Sequence, residues 1–147
     1  MDEKPAIRRR IKRSGIRIMV KAKEKILVIE DDEYSRDALA HLLAAEGYEA
    51  QSASDGESGL AKAHAMHPEV IVLDLNLPGI DGKAVIQMIR DDGPLSDVPI
   101  LVVTGDEDHA GQSAVALGAD GYLTKPVEFD DLIRAIDGLK TGAHRAA

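Results

Sequence analysis

The 147-residue chain contains no cysteine and no tryptophan, and aromatic residues make up only 3% of it. Without cysteine it can form neither a disulfide framework nor a thiolate metal site, which suits a reducing compartment. No apolar run approaches the roughly 20 residues of a membrane span, and no secretory signal is visible near the start. So few aromatic residues also leave no stacking platform for single-stranded nucleic acid. The sequence therefore predicts a cytoplasmic protein without a membrane span.

The formal net charge of −8 is divided unevenly along the chain. Residues 1–25 hold ten Lys or Arg against three Asp or Glu, whereas residues 26–147 hold eight against twenty-three. Phosphate neutralisation dominates nucleic-acid affinity, so the acidic part argues against nucleic acid as the partner of a folded domain. We predict a basic, flexible N-terminal arm over residues 1–24, a folded domain over 25–141 and a C-terminal tail over 142–147.

The basic arm leaves several alternatives open. Its mixture of basic and apolar residues could bind nucleic acid or an anionic surface, or contact the acidic domain in cis. It could also be a disordered tail. A further alternative is that Met19 is the true start, because the first strand of the domain follows it closely.

Strand-like and helix-like segments alternate from Ile26 onward, five of each, which is the pattern of a parallel sheet covered by helices on both faces. The predicted strands are 26–30, 49–53, 70–74, 100–103 and 121–123. Gly47 and Gly118 stand where left-handed caps would end the first and fourth helices. The predicted fold class is therefore α/β, with helix layers on the two faces of one sheet.

Reactive polar residues follow four of the apolar runs: Glu30 with Asp31, then Asp74, Thr104 and Lys125. In open α/β sheets the site lies off the carboxyl ends of the strands, so these side chains should meet at one edge. Each of them alone has an ordinary structural explanation, as a helix N-cap or a turn residue. Their joint occurrence at corresponding strand ends favours a functional site.

Three neighbouring carboxylates need a compensating cation, because like charges raise one another's pKa. Lys125 is one such cation. A divalent ion with oxygen ligands is the second, and the absence of cysteine favours Mg²⁺, with Mn²⁺ as an alternative, over zinc. A pocket with a metal and an ammonium group suits a phosphoryl group, and a carboxylate there can act as the nucleophile.

Four ordered motifs make the chain resemble the receiver domain of two-component response regulators. They lie at residues 26–32 (ILVIEDD), 70–82 (VIVLDLNLPGIDG), 102–105 (VVTG) and 118–126 (GADGYLTKP). The resemblance covers about residues 25–140 and implies a flavodoxin-like, five-stranded parallel sheet of order 2-1-3-4-5.

The resemblance also implies roles for individual residues. Asp74 matches the phosphoacceptor, and Thr104 and Lys125 match the residues that hold the phosphoryl oxygens. The metal-binding set would be Glu30, Asp31, Asp74 and the main-chain carbonyl of Asn76. The bond between Lys125 and Pro126 is commonly cis in this family.

Tyr122 matches the aromatic switch residue of the family, which turns inward when the threonine is drawn towards the phosphoryl group. The resemblance thus implies a stand-alone receiver, phosphorylated in the presence of Mg²⁺ by a histidine kinase or a phosphotransfer protein, that acts on a downstream protein partner through the Tyr122 face. Such a protein catalyses only its own phosphorylation and dephosphorylation and is no enzyme in the usual sense. The alternatives are a receiver-like scaffold that works without phosphorylation, a nucleic-acid binder acting through the arm, and a phosphatase with an aspartate nucleophile.

Overall fold

The fold is described from a computed structural model, which covers residues 7–13, 16–105 and 109–140. The predicted C-terminal tail, 142–147, lies outside the described residues. Two strands come first in the chain, β1 (Ile7–Arg13) and β2 (Ile16–Lys21). Five more follow: β3 (Lys25–Ile29), β4 (Glu49–Ala53), β5 (Val70–Asp74), β6 (Ile100–Thr104) and β7 (Gly121–Thr124).

Strands β3 to β7 form one parallel sheet in the order β4-β3-β5-β6-β7. Counted from β3, this is the order 2-1-3-4-5, which confirms the predicted fold. The three inner strands are almost fully buried because helices cover both of their faces, and their Val, Ile and Leu runs are typical of that environment. The edge strands β4 and β7 are only partly buried and carry more polar residues.

Five α-helices connect and cover the strands in the described part of the chain. They are α1 (Glu33–Ala45), α2 (Gly56–Met66), α3 (Gly82–Arg90), α4 (Ala110–Ala116) and α5 (Phe129–Lys140), with a 3₁₀ turn at Gly93–Leu95. Within these ranges no helix has the length and apolar character to cross a membrane.

The ends of the helices follow the sequence signals. Asp32, Asp55 and Asp81 are N-caps whose carboxylates each accept a hydrogen bond from a main-chain N–H three residues on. Gly47 and Gly118 have φ of +97° and +123°, a backbone conformation that glycine adopts at the least cost. Both glycines confirm the caps predicted for the first and fourth helices.

Two apolar clusters lie on opposite faces of the sheet. One joins alternate residues of the inner strands to α2, α3 and α4, and the other joins the remaining residues to α1 and α5. This division follows from the period of two along a strand, which sends successive side chains to opposite faces. The result is a three-layer domain whose carboxyl strand ends are left open at one edge of the sheet.

The N-terminal segment contains regular structure that the sequence analysis did not predict. Strands β1 and β2 pair with each other in an antiparallel arrangement with an irregularity between Ile7 and Arg9. The cause is visible in the sequence, where β-branched residues recur among the basic ones in this segment. The boundary at residue 24 and the flexibility of the arm stay predictions.

Candidate functional site

The predicted polar residues all lie at the open edge of the sheet. Glu30 and Asp31 follow β3, Asp74 ends β5, Thr104 ends β6, and Lys125 follows β7. The parallel register pairs Asp74 with Val103 and Thr104 with Thr124, so the strand ends are nearly level with one another. The fold thus brings residues that are up to 95 positions apart in sequence to one place.

Three carboxylates form the centre of the site. Glu30, Asp31 and Asp74 each offer one oxygen, and these oxygens lie within 4.8 Å of one another. Glu30 and Asp74 are each only 4% exposed, whereas Asp31 is open to solvent. This arrangement has the ligand chemistry of a hard divalent cation, with an exposed side through which water or a phosphoryl oxygen can complete the coordination.

Both carboxylate oxygens of Asp74 are held in place. The main-chain N–H of Asn76 donates to Oδ1 at 3.0 Å, and the ammonium group of Lys125 donates to Oδ2 at 3.3 Å. Lys125 also lies 3.7 Å from Oε1 of Glu30. A single ammonium group therefore neutralises part of the charge of two buried acids.

Burial and the neighbouring charges shift the pKa values of Glu30 and Lys125. The pKa of Glu30 is raised from 4.5 to about 7, mainly by burial and in part by the neighbouring Asp74, while a hydrogen bond from the N–H of Asp32 opposes the increase. Burial by itself would lower the pKa of Lys125, but Asp74 and Glu30 outweigh that effect and raise it. Lys125 is consequently charged at neutral pH, and Glu30 is poised between its two protonation states.

Thr104 and Lys125 are connected through the backbone as well. The N–H of Lys125 donates to the carbonyl of Thr104 at 2.8 Å, and the peptide bond between Lys125 and Pro126 is cis, as expected from the resemblance. Thr104 is 2% exposed at the end of β6. Its predicted contact with a phosphoryl group and the predicted carbonyl ligand from Asn76 stay predictions.

Tyr122 lies on β7, three residues before Lys125 in the chain. It is half-buried and packs on the apolar cluster that includes α2, α3 and α4. Its register partner is Val102, which precedes Thr104 by two residues and therefore points to the same face of the sheet. Tyr122 and Thr104 thus occupy one face, which is a geometric condition for the predicted switch.

Arg36 belongs to the site although the sequence analysis did not identify it. Its guanidinium donates to the main-chain carbonyls of Glu30 and Asp31, at 3.1 Å each. These bonds fasten the turn that carries two of the three acids to the first turn of α1. A contact made to main-chain carbonyls leaves no motif, so only the three-dimensional structure could reveal it.

Comparison with known proteins places this geometry in a family. The family model of the response regulator receiver domain matches residues 26–137 of this chain. This segment contains all of the predicted site residues. The chain therefore belongs to the family of response regulator receiver domains.

Individual relatives agree with this assignment. The chain is 39% identical over 130 residues to a probable transcriptional regulator, ycf27, of Guillardia theta, an alignment that covers 86% of this chain and 50% of the relative. The chain spans about half the length of the curated relatives it matches.

Solved structures show the same fold. The chemotaxis protein CheY4 of Vibrio cholerae is 31% identical with a TM-score of 0.75, over 80% of this chain and 99% of that one. The receiver domain of a sensor histidine kinase from Pseudomonas aeruginosa is 25% identical with a TM-score of 0.76, over 82% and 99% of the two chains. That structure holds a magnesium ion coordinated in its active-site cleft.

Proposed function

We propose that this receiver accepts a phosphoryl group onto Asp74 from a phosphohistidine of a histidine kinase or a phosphotransfer protein. The observation that carries the proposal is the environment of the Asp74 carboxylate. It is buried at the open edge of the sheet, with one oxygen bonded to an N–H and the other to Lys125, and with two further acids beside it. A structural aspartate at a strand end has no need of this combination of acids and an ammonium group.

In the proposed reaction, an oxygen of Asp74 attacks phosphorus while the bond from phosphorus to the donor's imidazole nitrogen breaks. The nitrogen keeps the electron pair of that bond, and the product is an aspartyl phosphate. Phosphoryl transfer passes through a loose transition state, so positioning and charge neutralisation supply most of the catalysis. Asn76 fixes the orientation of the carboxylate, and Lys125 and Thr104 are suited to hold the transferred oxygens.

The donor set fits Mg²⁺, and three carboxylate oxygens within 4.8 Å of one another support this assignment. Glu30, Asp31 and Asp74 would hold the ion, together with the main-chain carbonyl of Asn76. When bound, Mg²⁺ supplies positive charge that neutralises the phosphoryl oxygens. The magnesium ion in the related Pseudomonas receiver supports the same assignment.

The surface beside the pocket supports a protein as the phosphodonor. A groove next to Glu30 and Lys125 is lined mainly by apolar residues, Leu39, Leu42 and Val103 among them. Tyr34, on the same helix as Leu39 and Leu42, is 88% exposed. An apolar groove and an exposed aromatic side chain are typical of a surface that binds another protein.

The output of the proposed receiver is a change in the surface around Tyr122, read by a downstream protein partner. In this proposal the protein is a cytoplasmic signalling component that turns over no substrate other than its own phosphoryl group. The face shared by Tyr122 and Thr104 supports this route from the pocket to the surface.

The test is labelling with radioactive acetyl phosphate. We expect the wild-type chain to acquire one hydroxylamine-sensitive phosphoryl group in the presence of Mg²⁺ and none after chelation. Asp74→Asn should abolish the label. Asp81→Asn is the matched control, because it makes the same chemical change at a helix N-cap outside the pocket, where asparagine caps equally well. Persistent labelling of Asp74→Asn would overturn the assignment, and a wild-type chain that takes no label would favour the scaffold alternative.

A further inference from the structure

The ring of Tyr122 lies directly against Gly111, the second residue of α4. A Cβ atom on Gly111 would come 2.5 Å from Cγ and 2.7 Å from Cε2 of Tyr122, and closer still to Cδ2. Such distances are far below a van der Waals contact. The space that the ring occupies thus exists only because residue 111 has no side chain.

The backbone gives no other reason for glycine at this position. Gly111 is helical, and it is absent from the residues with positive φ, which include Gly47, Gly79 and Gly118. Glycine in a helix is less stable than alanine, so the sequence carries a cost here. The contact with Tyr122 is what the missing side chain makes room for.

Residue 111 therefore bounds the Tyr122 ring on the side of α4. Thr104 lies on the same face of the sheet, two residues beyond Val102, the register partner of Tyr122. The room for the ring at α4 is set by residue 111, whatever the position of the Thr104 side chain.

We propose that Gly111 is a positioning residue for the Tyr122 switch: its missing side chain forms the seat on α4 in which the ring rests in this structure. This inference rests on the proposed function, since it assigns a resting position to the switch of that same site. Filling the seat displaces the ring, and the surface around Tyr122 then depends less on the state of Asp74. In this role Gly111 acts through the Tyr122 ring and not through the predicted ligands of the phosphoryl group or the metal.

The experiment uses the full chain labelled with 3-fluorotyrosine, with Tyr122→Phe to assign the Tyr122 signal among the three tyrosines. Fluorine NMR spectra are recorded with and without Mg²⁺ and beryllofluoride, an analogue of the phosphoryl group whose own bound fluorine signal reports occupancy of Asp74. We expect the wild-type Tyr122 signal to shift on occupancy. In Gly111→Ala the signal should already be displaced before beryllofluoride is added, and its further shift should shrink while occupancy is kept.

Gly138→Ala is the matched control, because Gly138 is also helical and a Cβ there meets nothing within 4 Å. It should behave like the wild type. If beryllofluoride does not occupy the wild-type site, the proposed function fails. If it does and the Tyr122 signal of Gly111→Ala matches the wild type in both states, or the wild-type signal does not shift at all, the present inference fails alone.

Melting temperatures supply an independent readout. In a Tyr122→Ala background the seat is empty, so Gly111→Ala should raise the melting temperature through better helix propensity, whereas with Tyr122 present it should lower it. Should Gly111→Ala fail to fold, recovery of folding in the double variant would support the inference. The same direction of effect in both backgrounds, or an unfolded double variant, would contradict it.

Discussion

At the scale of single residues, Glu30 is the group whose raised pKa makes the site sensitive to pH. Its pKa is raised to about 7, first by burial, because the charged form loses hydration there. A carboxylate with a raised pKa binds its proton more tightly in the folded chain than in the unfolded one. Its contribution to stability is therefore fully present below about 4.5 and is lost as the pH rises through about 7.

Mg²⁺ binding should follow the opposite course, because the ion requires the ionised carboxylate. We expect the affinity for Mg²⁺ to increase as the pH rises from about 5 to about 8, with release of a proton on binding at the lower end. Calorimetric titrations in buffers of different ionisation enthalpy measure both quantities.

Glu30→Gln is the control for this pH dependence, since it keeps the size of the side chain and removes its titration. It should bind Mg²⁺ less tightly and lose most of the pH dependence. An affinity that is equally pH-dependent in Glu30→Gln would show that another group is responsible.

Single residues also show where sequence reasoning succeeds. Glu30, Asp74 and Lys125 were predictable because each adjoins the carboxyl end of a strand, and the topology brings those ends together. Arg36 and Gly111 were not, because their partners are main-chain carbonyls and an aromatic ring distant in sequence. Contacts of that kind are defined by packing and leave no pattern along the chain.

At the scale of elements, an ion pair joins Arg90, the last residue of α3, to Asp120, the residue directly before β7. They form an ion pair of 2.9 Å with side chains only 14% and 6% exposed, and Asp120 also accepts from the N–H of Ile100 at 2.8 Å. Arg90 donates in addition to the carbonyls of Ser96, Val98 and Gly118. The two side chains thus supply hydrogen-bond partners to main-chain groups of the neighbouring elements.

Removing one partner of such a pair leaves the other charge buried. Asp120→Ala should lower the free energy of unfolding by about 3–5 kcal/mol, measured by urea denaturation. Asp131→Ala is the matched control, since its pair with Arg134 is exposed and worth about 1 kcal/mol or less. Similar losses in the two variants would contradict the structural role assigned to Asp120.

The boundaries of the elements were largely accessible from the sequence. The predicted strands 26–30 and 70–74 lie within one residue of β3 and β5, because apolar runs ending in polar residues define them sharply. Strands β1 and β2 were missed. The density of basic residues in this segment favours an unfolded arm, whereas the β-branched residues among them favour strands.

At the scale of the whole molecule, the chain divides into a basic N-terminal segment and an acidic domain. The site residues lie between Glu30 and Lys125, and the family match covers residues 26–137. The basic segment, residues 1–25, therefore lies outside both the site and the family match. Residues 1–25 carry a charge of +7 and the remainder −15. The two parts should therefore differ in what they bind.

Deletion of residues 1–18 tests this division. We expect the shortened chain to take up the acetyl phosphate label at the wild-type rate, because the pocket and both apolar clusters remain. Any affinity of the full chain for a DNA duplex should fall steeply with salt and disappear on deletion, since counterion release drives such binding. The control is a variant in which Gln replaces Arg8, Arg9 and Arg10, which keeps the length of the segment and removes three of its charges. Slower labelling of the shortened chain would make the segment part of the receiver, and DNA binding that survives deletion would place it on the acidic domain, against the charge argument.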